Sequence, residues 1–127
     1  GAEMPEAGVP LPIGKGRIVR EGKDVTLIAY GSMVPLCEKA AEAAQQQGRS
    51  VEIVDPRTLV PLDEPLLLES VKKTGRCVVV YEAPKTCGYG AEIAVACCDA
   101  AVHDADRVVV LLAGRDLEHG LAGLHFR

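Results

Sequence analysis

Four short apolar runs recur along the chain, and a stretch of helical length separates each from the next. The runs cover residues 25–30, 51–54, 77–81 and 108–112. Strands that alternate with helices form βαβ units, whose right-handed crossovers leave the strands parallel. The runs are continuously apolar rather than alternating, which is typical of strands buried on both faces. The sequence therefore predicts an α/β fold with a mainly parallel sheet and helices on both faces.

A further strand is predicted ahead of these runs, at Arg17–Arg20. The polar turn at 21–24, which contains Gly22, joins it to the run at 25–30. Two strands joined by so short a connection are expected to pair with each other. The expected architecture is a single three-layer domain whose sheet has about five strands, one of them an antiparallel edge strand.

Three segments between the strands are predicted to be helices, at 34–47, 64–73 and about 91–102. The first is rich in Ala, Glu and Gln, which have high helix propensity, and Gly48 follows it. Ser32 and Asp63 stand where side chains cap helix amino termini. Gly75 is placed to end the second helix.

Composition limits the range of functions. The 127 residues fit one compact domain, and aromatic residues make up only 3% with no Trp, so the core must be aliphatic. The net charge is −4 and the basic residues are dispersed, which does not resemble a nucleic-acid footprint. The apolar runs are far shorter than the roughly 20 residues of a transmembrane helix.

The five cysteines, Cys37, Cys77, Cys87, Cys97 and Cys98, form no CxxC pair. An odd number without such pairs fits neither a disulfide framework nor a zinc site. Cys77 opens an apolar run and Cys97 and Cys98 lie in a helical stretch, so burial as small apolar residues is expected. A reducing compartment follows, either a bacterial cytoplasm or the mitochondrial matrix.

In doubly wound sheets, ligands bind outside the carboxyl ends of the parallel strands. Three polar segments are expected there, at 30–33, 55–58 and 82–90. Asp55, Arg57 and Thr58 allow two interpretations. They could bind an anion through the guanidinium group, or Asp55 and Arg57 could form an internal ion pair that fixes the loop, which the sequence favours.

Other candidate sites carry weaker patterns. The loop with Gly88 and Gly90 could hold an anion at a helix amino terminus, but it lacks the spacing of nucleotide-binding loops. Ser32 lacks the surroundings of a nucleophile elbow. The histidines, all in the last quarter of the chain, lack the spacing of a metal site. The residues alone therefore predict no catalytic, cofactor-binding or metal-binding group.

Several ordered segments resemble a known family. They are LPIGKG at 11–16, REGKDVTLI at 20–28, YGSMV at 30–34, EIVDPRTLVPLD at 52–63, ESVKKTGR at 69–76 and EAPKTCGYGAEI at 82–93. Together they resemble the carboxyl-terminal domain of transketolase-like enzymes. The resemblance is greatest to the β subunit of the decarboxylating component of pyruvate and branched-chain 2-oxoacid dehydrogenases.

This resemblance implies an assembly and docking role. In the family, the complete complex uses thiamine diphosphate and magnesium to decarboxylate a 2-oxoacid and passes the acyl group to a lipoyl arm. The implied partners are the α subunit, the amino-terminal β domain and the acyltransferase core. The chain lacks the Gly-Asp-Gly…Asn motif that anchors the cofactor, so the isolated domain is expected to bind none and to be inactive. Candidate docking residues are Glu82, Lys85, Tyr89, Asp104 and Asp106.

The sequence also departs from the family pattern. Pro56 and Cys87 stand where an apolar residue and a glycine are usual, and similarity thins after Ala96. We therefore expect a linker or expression scar at 1–12, the family domain at 13–116 and an atypical tail at 117–127. The tail keeps open an alternative function, a free-standing, non-catalytic protein that binds a partner or forms a homodimer.

Overall fold

The computed structural model describes residues 10–83, 87–104 and 109–113, with side chains up to residue 98. Its sheet has five strands: β1 (Arg17–Arg20), β2 (Val25–Ala29), β3 (Val51–Asp55), β4 (Arg76–Val80) and β5 (Val109–Ala113). Three helices alternate with them: α1 (Met33–Gln46), α2 (Glu64–Thr74) and α3 (Gly90–Asp104). The predicted alternation of strands and helices is therefore confirmed, with element ends that differ by only one or two residues.

The strand order is β1-β3-β2-β4-β5. All neighbours run parallel except β1, which is antiparallel to β3 at the edge of the sheet. A five-stranded, mainly parallel sheet with one antiparallel edge strand is what the sequence predicted. Since β2 lies in the centre of this order, the loops that follow β2, β3 and β4 emerge side by side.

The predicted pairing of β1 with β2 is wrong. Strand β1 pairs with β3 instead, with Arg17 opposite Asp55 and Ile18 opposite Val54. Both sides of β2 are already occupied, by β3 and β4. The turn at 21–24 crosses the start of β3, where the backbone N–H groups of Lys23 and Asp24 donate to the Ser50 carbonyl oxygen.

Two apolar clusters hold the three layers together. On one face of the sheet, α1 packs Val34, Cys37 and Ala41 against strand residues that include Leu27 and Ile53. On the other face, α2 and α3 cover Ile28, Val54, Cys77 and Val79 with residues such as Leu67, Val71, Ile93 and Cys97. Full burial of one such aliphatic side chain contributes about 1.5–3 kcal/mol. Both faces of the central strands are therefore buried, as their continuous apolar sequences predicted.

The helix ends differ in part from the sequence prediction. Gly75 adopts a left-handed conformation (φ 70°) after α2, and its N–H donates to the Val71 carbonyl oxygen at 2.8 Å, as expected of a carboxyl-terminal glycine. Ser32 and Asp63 occupy the predicted positions before α1 and α2, but neither side chain caps its helix. Ser32 instead donates to Glu82, and Asp63 accepts from the Gly16 N–H. These partners are distant in sequence, but the fold brings them next to the helix ends.

The cysteines divide into two groups. Cys37, Cys77 and Cys97 are buried, whereas Cys87 and Cys98 are exposed. Burial was therefore predicted correctly for Cys77 and Cys97 and wrongly for Cys98, whose helical position turns it away from the sheet. Burial, and to a smaller extent Glu38, raises the pKa of the Cys37 thiol to about 12, so this thiol is an unreactive part of the core.

Candidate functional site

The loops at the carboxyl ends of β2, β3 and β4 meet along one edge of the sheet. Tyr30 follows β2, Pro56 follows β3 and Tyr81 follows β4. This edge gathers most of the candidate residues for which side chains are described, and it is where open α/β sheets bind ligands. Its contacts show what those residues do.

Asp55, the last residue of β3, is buried and holds two segments. Its carboxylate lies 3.6 Å from Nε of Arg17 on β1, and it accepts a hydrogen bond of 3.0 Å from the backbone N–H of Arg57. The ion pair predicted between Asp55 and Arg57 is therefore replaced by one with Arg17. Arg57 is exposed and has φ 62°, so its backbone turns back towards Asp55 while its side chain leaves the loop.

Thr58 joins the loop after β3 to the segment that leads into β1. Its hydroxyl accepts a hydrogen bond from the Gly14 N–H at 3.0 Å and donates one to the Pro61 carbonyl oxygen at 3.0 Å. Two residues further on, the Gly16 N–H donates to the buried Asp63 carboxylate at 3.0 Å. We call residues 10–17 together with residues 55–63 the clamp.

Glycine is required at both anchoring points of the clamp. A Cβ on Gly14, which has φ 82°, would lie 2.9 Å from Cγ of Pro61. A Cβ on Gly16 would lie 2.8 Å from Leu66 and 3.0 Å from the Asp55 carbonyl oxygen. Such short distances leave little room for a side chain, so the backbone of residues 14–16 lies directly against the Pro61 ring and against the end of β3.

All three tyrosines of the chain gather at the same edge of the sheet. The rings of Tyr30 and Tyr81 stack with centroids 6.5 Å apart, and the Tyr89 hydroxyl donates to the Leu59 carbonyl oxygen. Burial, and then the nearby Tyr81 and Tyr89, raise the pKa of Tyr30. This tyrosine cluster connects the clamp to the start of α3.

Tyr81 is the one member of the cluster whose hydroxyl is buried without a hydrogen-bond partner among the described residues. Its side chain is 1% exposed, and its ring packs on Gly90, where a Cβ would lie 2.6 Å from Cζ. The close approach of ring and backbone explains why glycine begins α3. It favours the structural interpretation of this loop over anion binding, because the ring packs against the first residue of the helix.

Ser32 and Glu82 connect the loops after β2 and β4. The Ser32 hydroxyl donates to the Glu82 carboxylate at 2.8 Å, and both residues are exposed. Ser32 is thus a link between loops rather than a helix cap. Exposed pairs of this kind contribute little to stability, so the contact mainly sets the relative position of the two loops.

Three candidate docking residues lie outside the described side chains. Asp104 is the last residue of α3, and its side chain is not among those described. Lys85 and Asp106 lie outside the described residues altogether. Their docking role, like that of Glu82 and Tyr89, stays a prediction.

A buried carboxylate at the opposite edge of the sheet was missed by the sequence analysis. Glu52, on β3, is fully buried and accepts hydrogen bonds from the Ser70 hydroxyl, the Lys73 ammonium group and the Gly22 N–H. Burial opposes its ionisation, but these hydrogen bonds outweigh it and lower the pKa of Glu52. The hydroxyls of Thr26 and Thr74 complete this Glu52 network, through bonds of 2.8–3.1 Å.

Metal-ligand clusters and membrane-crossing helices are absent from the described residues. Among them, no three His, Cys, Asp or Glu side chains are arranged to hold a metal ion. Within the same ranges, no helix combines the length and the apolar character needed to cross a membrane. The polar groups described above serve mainly to connect segments of the fold.

Comparison with known proteins agrees with this picture. The family "Transketolase, C-terminal domain" matches residues 14–125, which includes much of the segment predicted as an atypical tail. The chain is 42% identical over 114 residues to the pyruvate dehydrogenase E1 component subunit beta of Staphylococcus epidermidis, covering 90% of this chain and 35% of that protein. It is 48% identical over 95 residues to the mitochondrial 2-oxoisovalerate dehydrogenase subunit beta of Chaetomium thermophilum, covering 74% of this chain and 20% of that one.

Among solved structures, a split gene transketolase described as an inactive beta4 tetramer superposes with a TM-score of 0.73. The identity is 28%, over 89% of this chain and 36% of that one. The resemblance to β subunits of 2-oxoacid dehydrogenases is thereby confirmed. The chain spans about a third of the length of the pyruvate dehydrogenase relative.

Proposed function

The chain belongs to the transketolase C-terminal domain family, and from this premise we propose that it is an assembly and docking domain of a 2-oxoacid dehydrogenase β subunit. The observation that carries the proposal is the identity of 42% to such a subunit across 90% of this chain. Oxidative decarboxylation of a 2-oxoacid, with acyl transfer to a lipoyl group, would then be a property of the full complex.

We assign the thiamine diphosphate and magnesium of that complex to its other parts. The first residue of α3 packs against the Tyr81 ring, whereas a helix that binds a diphosphate uses an open amino terminus. This packing favours a structural role for the loop before α3 and supports the assignment of the cofactor to other parts of the complex.

The proposed partners are the α subunit, the amino-terminal β domain and the acyltransferase core. The loops at the carboxyl edge, joined by the contacts of Ser32 with Glu82 and of Tyr89 with Leu59, give them a defined surface. Glu82, Lys85, Tyr89, Asp104 and Asp106 are the proposed contact residues. A bacterial cytoplasm or the mitochondrial matrix is the proposed location.

A second candidate function is self-association as a free-standing protein. It is favoured by the relative described as a tetramer of β chains, which superposes over 89% of this chain. Symmetric homo-oligomers commonly reuse one surface on every copy. In this case the chain would form dimers or tetramers without an α subunit.

A hybrid subunit separates the two candidates. In the Staphylococcus epidermidis β subunit, the matched third would be replaced by residues 10–127 of this chain, and the hybrid would be coexpressed with its α subunit. We expect an α2β2 assembly in sedimentation velocity and retained decarboxylation. The same β subunit cut before the domain is the control and should not assemble.

Two results would contradict the proposal. One is a hybrid that is folded by circular dichroism yet does not associate with the α subunit in the presence of thiamine diphosphate and magnesium. The other is formation of hybrid β tetramers that exclude the α subunit, which would support self-association instead.

A further inference from the structure

The clamp exposes apolar side chains in a rigid arrangement. Ile13 and Val60 are each 81% exposed and Leu11 is 42% exposed, and they are half of the six exposed large apolar residues for which side chains are described. Ile13 and Val60 directly precede Gly14 and Pro61, which are in contact. Consecutive Cα atoms are about 3.8 Å apart, so the backbones of Ile13 and Val60 lie in the same region of the clamp. We call Leu11, Ile13 and Val60 the apolar surface.

The position of this surface is fixed by the fold. The bonds of Thr58 to Gly14 and Pro61, and of Asp63 to Gly16, hold both sides of the clamp. A partner that binds here therefore meets a preformed surface and loses little conformational entropy in ordering it. Exposed apolar groups that are clustered mark interaction sites more often than scattered ones do.

The charges of the clamp restrict the partner further. Lys15 and Arg57 lie at its exposed positions, and Arg17 is half-exposed and paired with Asp55. Its two carboxylates, Asp55 and Asp63, are buried. A second copy of this chain would bring the same basic groups face to face, which is unfavourable. A partner with an apolar centre and an acidic rim fits the surface better.

We infer that the apolar surface docks the part of the β subunit that precedes this domain, an inference that depends on the proposed function. In relatives, the matched domain is the carboxyl-terminal one and makes up about a third of the subunit. Leu11 and Ile13 lie in the segment through which that preceding polypeptide would enter the domain. A tethered partner has a high effective concentration at the tether, so even a small apolar surface next to it is occupied.

Hydrogen exchange tests the inference directly. Exchange of the backbone amides of residues 11, 13, 59 and 60 would be measured in the free 127-residue chain and in the hybrid subunit described above. We expect exchange to slow at least tenfold in the hybrid. Equal exchange in the two forms would overturn the inference, and if the hybrid assembles in that experiment the proposed function still stands.

Substitutions provide the second measurement. Ile13→Asp and Val60→Asp in the hybrid should each reduce the assembled fraction at least fivefold. Leu36→Asp and Val95→Asp are matched controls, since these exposed apolar residues lie on α1 and α3 (45% and 56% exposed), and each should change it less than twofold. Equal effects at all four positions would contradict the inference.

Sedimentation of the free chain tests the other possible occupant of the apolar surface, a second copy of this chain. We expect it to sediment as a monomer across a hundredfold range of concentration. Dimers that Val60→Asp dissociates would assign the surface to a second copy and overturn the inference. A hybrid that fails to assemble at all would remove the proposed function and this inference together.

Discussion

The two edges of the sheet differ in how fully their buried polar groups are hydrogen-bonded. At the edge where β2 and β3 begin, Glu52 is fully buried and each of its contacts is a hydrogen bond to a named donor. At the edge where β2 and β4 end, the buried Tyr81 hydroxyl has no partner in the part of the chain that the structure describes, and the nearby clamp exposes Ile13 and Val60. We call the first the complete edge, because its buried carboxylate is hydrogen-bonded within the domain, and the second the incomplete edge.

This difference indicates that the edge with Glu52 mainly stabilises the fold, whereas the edge with Tyr81 is better suited to bind a partner. A satisfied buried network is costly to disturb, because removal of one member leaves the others desolvated and unpaired. At an edge with exposed apolar groups and a buried hydroxyl that lacks a described partner, substitutions should lower the free energy of unfolding less. Binding of a partner should stabilise such an edge more. Substitutions at the two edges should therefore differ in size and even in sign.

The largest effect is expected from Glu52→Ala. It removes the shared acceptor of Ser70, Lys73 and Gly22, and the free energy of unfolding should fall by roughly 3 kcal/mol in urea denaturation. Glu52→Gln is the matched control, since it keeps the volume and an acceptor oxygen, and it should cost about half as much. A loss below about 0.5 kcal/mol for both variants would show that the network does not support this edge.

The pH dependence of stability should reveal the same carboxylate. The folded pKa of Glu52 lies below its ordinary value of 4.5, so its contribution is fully present above about pH 5 and is lost as the pH falls through the folded pKa. The stability difference between the wild-type chain and Glu52→Gln should thus be constant above about pH 5 and narrow as the pH falls from there to about 3. A difference that stays constant over this range would contradict the assigned ionisation.

At the opposite edge, Gly90→Ala should cost about 2 kcal/mol, because the new Cβ must displace the Tyr81 ring. Gly31→Ala is the comparison, since Gly31 has φ 61° but no atom within 4 Å of its Cβ position. It should cost only about 1 kcal/mol, through backbone conformation alone. Thermal unfolding measures both. An equal loss at the two positions would mean that the ring moves aside freely.

Much of the fold was predictable because it depends on local sequence. The continuous apolar runs at β2, β3 and β4 indicated strands buried on both faces, and their spacing allowed only helical crossovers. The partner of β1 was not predictable, because a four-residue turn is equally compatible with a hairpin and with a crossing to β3. That choice depends on β4, which lies more than fifty residues away and occupies the other side of β2.

The candidate site was less predictable, because its contacts join distant segments. Asp55 and Arg57 are close in sequence, yet Asp55 pairs with Arg17, since the antiparallel register of β1 brings Arg17 opposite it. For Glu52, one feature of the sequence did indicate a buried carboxylate. A charged residue inside an apolar run of a doubly covered sheet must be buried and therefore needs partners. Nothing in the sequence indicated that the Tyr81 hydroxyl would lack one.

The smallest effects, and the ones that differ in sign, come from two tyrosines at the incomplete edge. Tyr89→Phe removes the hydrogen bond to the Leu59 carbonyl oxygen and should lower the free energy of unfolding by about 1 kcal/mol. Tyr81→Phe removes a buried hydroxyl for which the described ranges contain no partner. It should raise the free energy of unfolding by up to about 1 kcal/mol, since no bond is lost and a desolvated polar group disappears. Urea denaturation of both variants beside the wild-type chain measures the two changes. If Tyr81→Phe destabilises the chain as much as Tyr89→Phe does, the Tyr81 hydroxyl is hydrogen-bonded in solution. In that case the second edge is not incomplete, and the contrast between the two edges is wrong.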